Sequence, residues 1–176
     1  MINFTLNKTD VINQIKENEA YSPKDFEEYN CAAYALGLTD WVYPVNPYEE
    51  KPEDVAREFG SDDEEISKSI ADASYAAIYD NPYMMQLVVK RLLSLFDGLR
   101  LIKDFSEVKE DEYGIVYATN PLDFHFGRYD NGILSHKTGS EPPCVVDNIE
   151  KIFETDEELY DSERYFFAMK KDYKLC

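Results

Sequence analysis

Apolar positions recur at helical spacing before residue 98 and mostly at strand spacing after it. Residues 9–19 place Val11, Ile12 and Ile15 on one side behind Thr9 or Asp10, which predicts a short capped helix. Cys31 to Leu36 is a strongly helical run between Asn30, a good N-cap, and Gly37, a good residue to end on. Residues 41–52 hold three prolines among aromatics and predict an irregular loop. In 62–79, Ile66, Ile70, Ala73 and Ala77 share one helical face, and Asn81-Pro82 interrupts the pattern. Residues 83–96 are apolar on more than one face, which predicts a buried central helix. Strands are expected near 99–105, 113–119, 123–129, 133–138 and 164–170. Asp130-Asn131-Gly132 marks a hairpin between two of them. Pro142-Pro143 breaks the chain, and 147–160 is an acidic helix candidate. Helices first and strands later predict one α+β domain over residues 1–176.

Charge narrows the function classes. The chain has 18 basic and 36 acidic residues, a net charge of −18, and a pI near 4.4. Such a chain is not expected to bind nucleic acid or an anionic membrane directly. No apolar run is long enough to span a bilayer, and no signal peptide is visible, so a cytoplasmic location is expected, or delivery to a target cell by a route the sequence does not show. The acids concentrate in 49–65, 104–112 and 147–163, which carry −7, −4 and −7. These windows read as solvated faces or as a surface for a basic protein partner. Three widely spaced cysteines, at 31, 144 and 176, argue against a disulfide framework and a cysteine zinc cage.

Two features carry chemistry. Cys31 would begin a helix, where unpaired N–H groups and the helix dipole favour a thiolate. The only histidines, His125 and His136, flank the hairpin. Alternation puts Phe124 and Phe126 on one face and His125 on the other. A turn on Asn131-Gly132 sets His125 opposite Thr138 and Gly127 opposite His136, and a turn on Asp130-Asn131 sets the histidines opposite each other. In both registers the imidazoles share a face; a three-residue loop would separate them. A two-histidine metal site lacks a third ligand at a recognisable spacing, and neither a metal nor a cofactor is expected. Phosphate loops, serine-hydrolase elbows and zinc-protease helices are absent as motifs.

The run Asn30-Cys31-Ala32-Ala33-Tyr34-Ala35-Leu36-Gly37 resembles the opening block of small bacterial papain-like proteins of the NlpC type. Asp123-Phe124-His125-Phe126-Gly127-Arg128, then Ser135-His136-Lys137-Thr138-Gly139, resembles their second block, a His-x-x-Arg strand followed by a Ser-His-Lys-x-Gly strand. The closing run Arg164 to Met169 sits where their last strand is expected. The resemblance implies a papain-like domain with an acidic helical insertion at about 49–97, in which a helix presents the cysteine to a histidine on an antiparallel sheet. Carried over by position, Cys31 is the nucleophile, His125 the base and His136 the third polar residue.

The expected function is a cysteine hydrolase or acyltransferase acting on an amide-type bond of a peptide-like or protein substrate. A Cys31 thiolate would attack, and a His125 imidazolium would hold the thiolate and protonate the leaving group, oriented by His136. The Cys31 backbone N–H would bind the oxyanion, with the Asn30 side chain as candidate second donor. Arg128 alternates away from His125 and reads as structural. The rival reading is a non-enzymatic acidic binding protein, such as a phage or mobile-element inhibitor or an immunity protein, on the same scaffold.

Overall fold

A computed structural model of the chain describes residues 4–5, 26–38, 40–45, 51, 54, 57–58, 65, 68–69, 79, 81–155 and 158–175. Helix α1, Cys31–Leu36, starts where expected because the Asn30 side chain accepts the Ala33 N–H. It stops at Gly37, whose φ of 74° is left-handed and cheap only for glycine. Helix α2, Pro82–Leu95, is capped by Asn81, with proline in its first turn. Leu87 and Leu92 are fully buried, so this end of the acidic 49–97 stretch belongs to the main core. Residues 65, 68 and 69 are helical and Tyr79 lies in a turn; the other residues of the 62–79 segment, like the helix expected at 9–19, lie outside the described residues.

The strands are β1 (Phe4–Thr5), β2 (Val42–Tyr43), β3 (Phe96–Ile102), β4 (Glu112–Thr119), β5 (Phe124–Asp130), β6 (Ile133–His136), β7 (Cys144–Val146) and β8 (Tyr165–Leu175). The last six form one antiparallel sheet in the order β3-β8-β4-β5-β6-β7. The chain is therefore α+β, as expected. Three details differ from expectation. β7 is an added strand, pairing with β6 just beyond Pro142-Pro143. Val42 and Tyr43, expected in a loop, pair in parallel with Phe4 and Thr5. In the acidic segment, α3 spans only Glu150–Phe153. The Thr155 hydroxyl there accepts the Glu158 N–H and Glu154 pairs with Leu159, so the chain reverses instead of continuing as helix.

Alternation sorts the sheet into two faces. One carries Ile115, Tyr117, Phe124, Phe126, Phe167 and Met169 under α1 and α2. The other carries Val116 and Ala118 under Ile152, Phe153 and Tyr160. No helix among the described residues is long and apolar enough to cross a membrane.

Candidate active site

Asn30 fixes the start of α1. Its Oδ1 accepts the Ala33 N–H at 3.1 Å, and its Nδ2 donates to the Val42 carbonyl at 2.7 Å. Both amide atoms are thus engaged in holding α1 to β2. One Nδ2 hydrogen is left over, and Asn30 also lines the pocket that holds Cys31 and His125.

The hairpin turns on Asn131-Gly132, with φ of 51° and 82°, the two positive values a type I′ turn needs. Asp130 pairs with Ile133 and Gly127 with His136, the first of the two registers foreseen. The odd register keeps the imidazoles on one face, and His125 Nε2 lies 2.9 Å from His136 Nδ1. Both rings are buried, at 2% and 5% exposure. His125 also stacks on Tyr160, with centroids 5.0 Å apart, and meets Phe153 edge-on at 6.2 Å.

That face is turned away from the body of α1. Phe124 and Phe126 pack toward α1 while the imidazoles point to the α3 side. Cys31 reaches the histidine layer by another route. In a two-residue hairpin the residues flanking the turn form a hydrogen-bonded pair, so the even-numbered residues of β5 aim N–H and C=O toward β6. β6 ends at His136. The next such groups of β5, the Phe126 N–H and the Phe124 carbonyl, meet Cys31 instead. The thiol donates to the Phe124 carbonyl at 3.9 Å, and the Phe126 N–H favours its thiolate form. The sulfur therefore fills the gap at the sheet edge beside His125, between the two layers.

Cys31 and His125 line one pocket of about 250 Å³, together with Asp123, Glu158, Tyr160 and Trp41. The Tyr160 hydroxyl donates to Glu158 and, at 3.4 Å, to Asp123. Burial holds the Asp123 carboxyl up at about 6, and the Glu158 charge adds to that. No cationic side chain lines this pocket among the described residues.

The protonation states also depart from expectation. Burial, reinforced by Asp123, pushes the Cys31 thiol up to about 12, against the pull of the Phe126 and Ala32 N–H groups and Lys137. Burial and the neighbouring His136 push His125 down to about 3. His136 is lowered by burial as well. The resting pair is a thiol and a neutral imidazole, because desolvation at 6% exposure outweighs the dipole of a six-residue helix.

Comparison with known proteins finds no matching family model, no matching curated protein and no matching solved structure.

Sequence reasoning missed Asp123, Glu158 and Tyr160 as pocket residues. Asp123 was legible as a neighbour of His125. Tyr160 was not, because its place depends on the chain reversal after α3. Arg128 lies 4.0 Å above the Tyr113 ring and pairs with Asp130, away from the pocket.

Proposed function

We propose that this protein is a papain-like cysteine hydrolase or acyltransferase acting on an amide-type bond. The observation that carries the reading is the sulfur of Cys31 at the edge of β5, in one pocket with a histidine whose Nε2 is already held by a second histidine. Commitment of Nε2 to His136 leaves Nδ1 of His125 as the nitrogen for the thiol. In the productive tautomer Nε2–H donates to His136 Nδ1, and Nδ1 carries a lone pair.

With both groups neutral at rest, the thiol proton moves to His125 Nδ1 as the sulfur attacks the substrate carbonyl. The C–S bond forms and the carbonyl π electrons pass to oxygen, which backbone N–H groups near α1 would stabilise. The imidazolium then returns its proton to the leaving amine as the C–N bond breaks. Water or an acceptor nucleophile, deprotonated by His125, releases the acyl group from sulfur and restores the thiol. Burial disfavours the imidazolium, so the transferred proton is handed on readily, and His136 keeps the ring in register.

Intact-mass spectrometry after incubation with a panel of activated acyl esters and aminocoumarin amides tests this. A single acyl adduct on Cys31, absent in Cys31→Ala, is expected. His125→Ala should slow acylation by about 10²–10⁴-fold as a lost general base. His136→Ala should slow it less, by about 10–100-fold, and His136→Asn less again, since an amide can still hold His125. A folded protein whose Cys31 accepts no acyl group from the panel would overturn the reading and turn attention to the acidic surface.

A further inference from the structure

Lys137 is the first residue after β6, one step beyond His136, and its side chain takes the opposite face, that of α1. It is fully buried, at 0% exposure. Its ammonium lies 4.6 Å above the Tyr29 ring and donates to the Gly139 carbonyl. Among the described residues no carboxylate lies within ion-pair distance of it. A buried cation without an anionic partner is costly, and such groups persist mainly where a charge is needed. The hairpin register would set Lys137 opposite Phe126, whose N–H faces Cys31, and Tyr29 stands two residues before Cys31. The missing counter-ion is thus close by in latent form.

We propose that Lys137 is a positioning residue for the nucleophile: its buried ammonium is the counter-charge of the Cys31 thiolate. This rests on Cys31 being the nucleophile of the proposed hydrolase. It supplies the cation that His125 does not, since His125 is neutral in its buried setting. The groups facing this pair are Tyr29 on the approach to α1, Glu141 in the loop after β6, which favours the ammonium, and Asp123 at the start of β5, which opposes the thiolate. Burial lowers Lys137 to about 8, so it is mainly charged at neutral pH and titrates just above it.

The experiment is the rate of iodoacetamide alkylation of Cys31, read on its own peptide by mass spectrometry, from pH 6 to 10. A thiolate–ammonium pair holds as many protons as a thiol–amine pair. The rate in the wild-type protein should therefore climb with unit slope to about pH 8 and then flatten. Lys137→Met should be slower at pH 7 by about tenfold or more, with unit slope throughout. Lys137→Arg should keep the pH 7 rate within about threefold and also lose the break, because a guanidinium does not titrate in this range. A folded Lys137→Met protein with the wild-type profile would overturn the inference.

A measurement that leaves the lysine intact covers the case in which Lys137→Met does not fold. The ¹³Cε resonance of Lys137 should titrate at a higher pH in Cys31→Asp, which sets a carboxylate where the thiolate would form, than in Cys31→Ala, and equal midpoints would overturn the inference. Acylation of Cys31 with a profile indifferent to Lys137 would sink the lysine role and leave the hydrolase standing. A lysine-dependent profile without acylation by any donor would do the reverse.

Discussion

At the scale of single residues, burial decides the chemistry more than identity does. Cys31 has the helix-start position that favours a thiolate, yet the residue is only 6% exposed, and the cost of charging it there is the largest influence on it. Competitive alkylation of the resting protein at pH 6 should therefore label Cys144, which is exposed, before Cys31. A faster Cys31 at that pH would show that its thiolate is formed before substrate arrives. Asn30 is the second residue whose setting defines it. Asn30→Ala removes the cap on Ala33 and the link to the Val42 carbonyl together, and should cost about 1–3 kcal/mol in urea unfolding. Asn30→Asp keeps the cap but sets an oxygen against that carbonyl, so it should recover only part of the loss.

At the scale of elements, the site depends on where strands end and what lies over them. β6 stops at His136 while β5 continues back to Phe124, and the offset creates the gap that Cys31 fills. On the other face, α3 presses directly on Gly127, which pairs with His136. A Cβ at Gly127 would come within 2.7 Å of the Ile152 side chain and 3.1 Å of Val116. Gly127→Ala should therefore displace α3, lower stability by about 1–3 kcal/mol, and loosen the cover that Phe153 gives His125. Thermal unfolding reads the first effect. The histidine ring resonances read the second, and unchanged shifts would mean that α3 yields without disturbing the pair.

At the scale of the whole molecule, the same burial couples the site to stability. His125 titrates near 3 when folded and near its ordinary 6.5 when unfolded. Between those values the unfolded chain binds more protons, so its contribution is fully present above about pH 6.5 and is lost as pH falls toward 3. His136 is shifted in the same direction. Asp123 has the opposite sign: its folded value, near 6, exceeds its ordinary 3.8, so it favours the folded state more as pH falls through that window. Two histidines against one carboxyl should lower the urea midpoint between pH 7 and 4.5. The decline should be steeper in Asp123→Asn, which lacks the opposing group, and shallower in His125→Gln. A midpoint independent of pH in all three proteins would show that the histidines are not buried neutral.

Much of this protein was legible along the chain because the relevant forces are local. The capped run Cys31–Leu36, the Asn131-Gly132 turn and the shared face of His125 and His136 follow from capping, φ preference and alternation, each set within a few residues. The α+β class follows from the order of periodicities. The tertiary structure decided which layer each face meets. Alternation sets His125 apart from Phe124, but only the packing of α1 on one side of the sheet and α3 on the other says which face is which. The same packing turned the expected thiolate into a buried thiol, put Tyr160 on His125, and enclosed Lys137 with no carboxylate at ion-pair distance among the described residues. Desolvation and long-range contact depend on what the rest of the chain brings to a point in space, and no run of neighbouring residues records that.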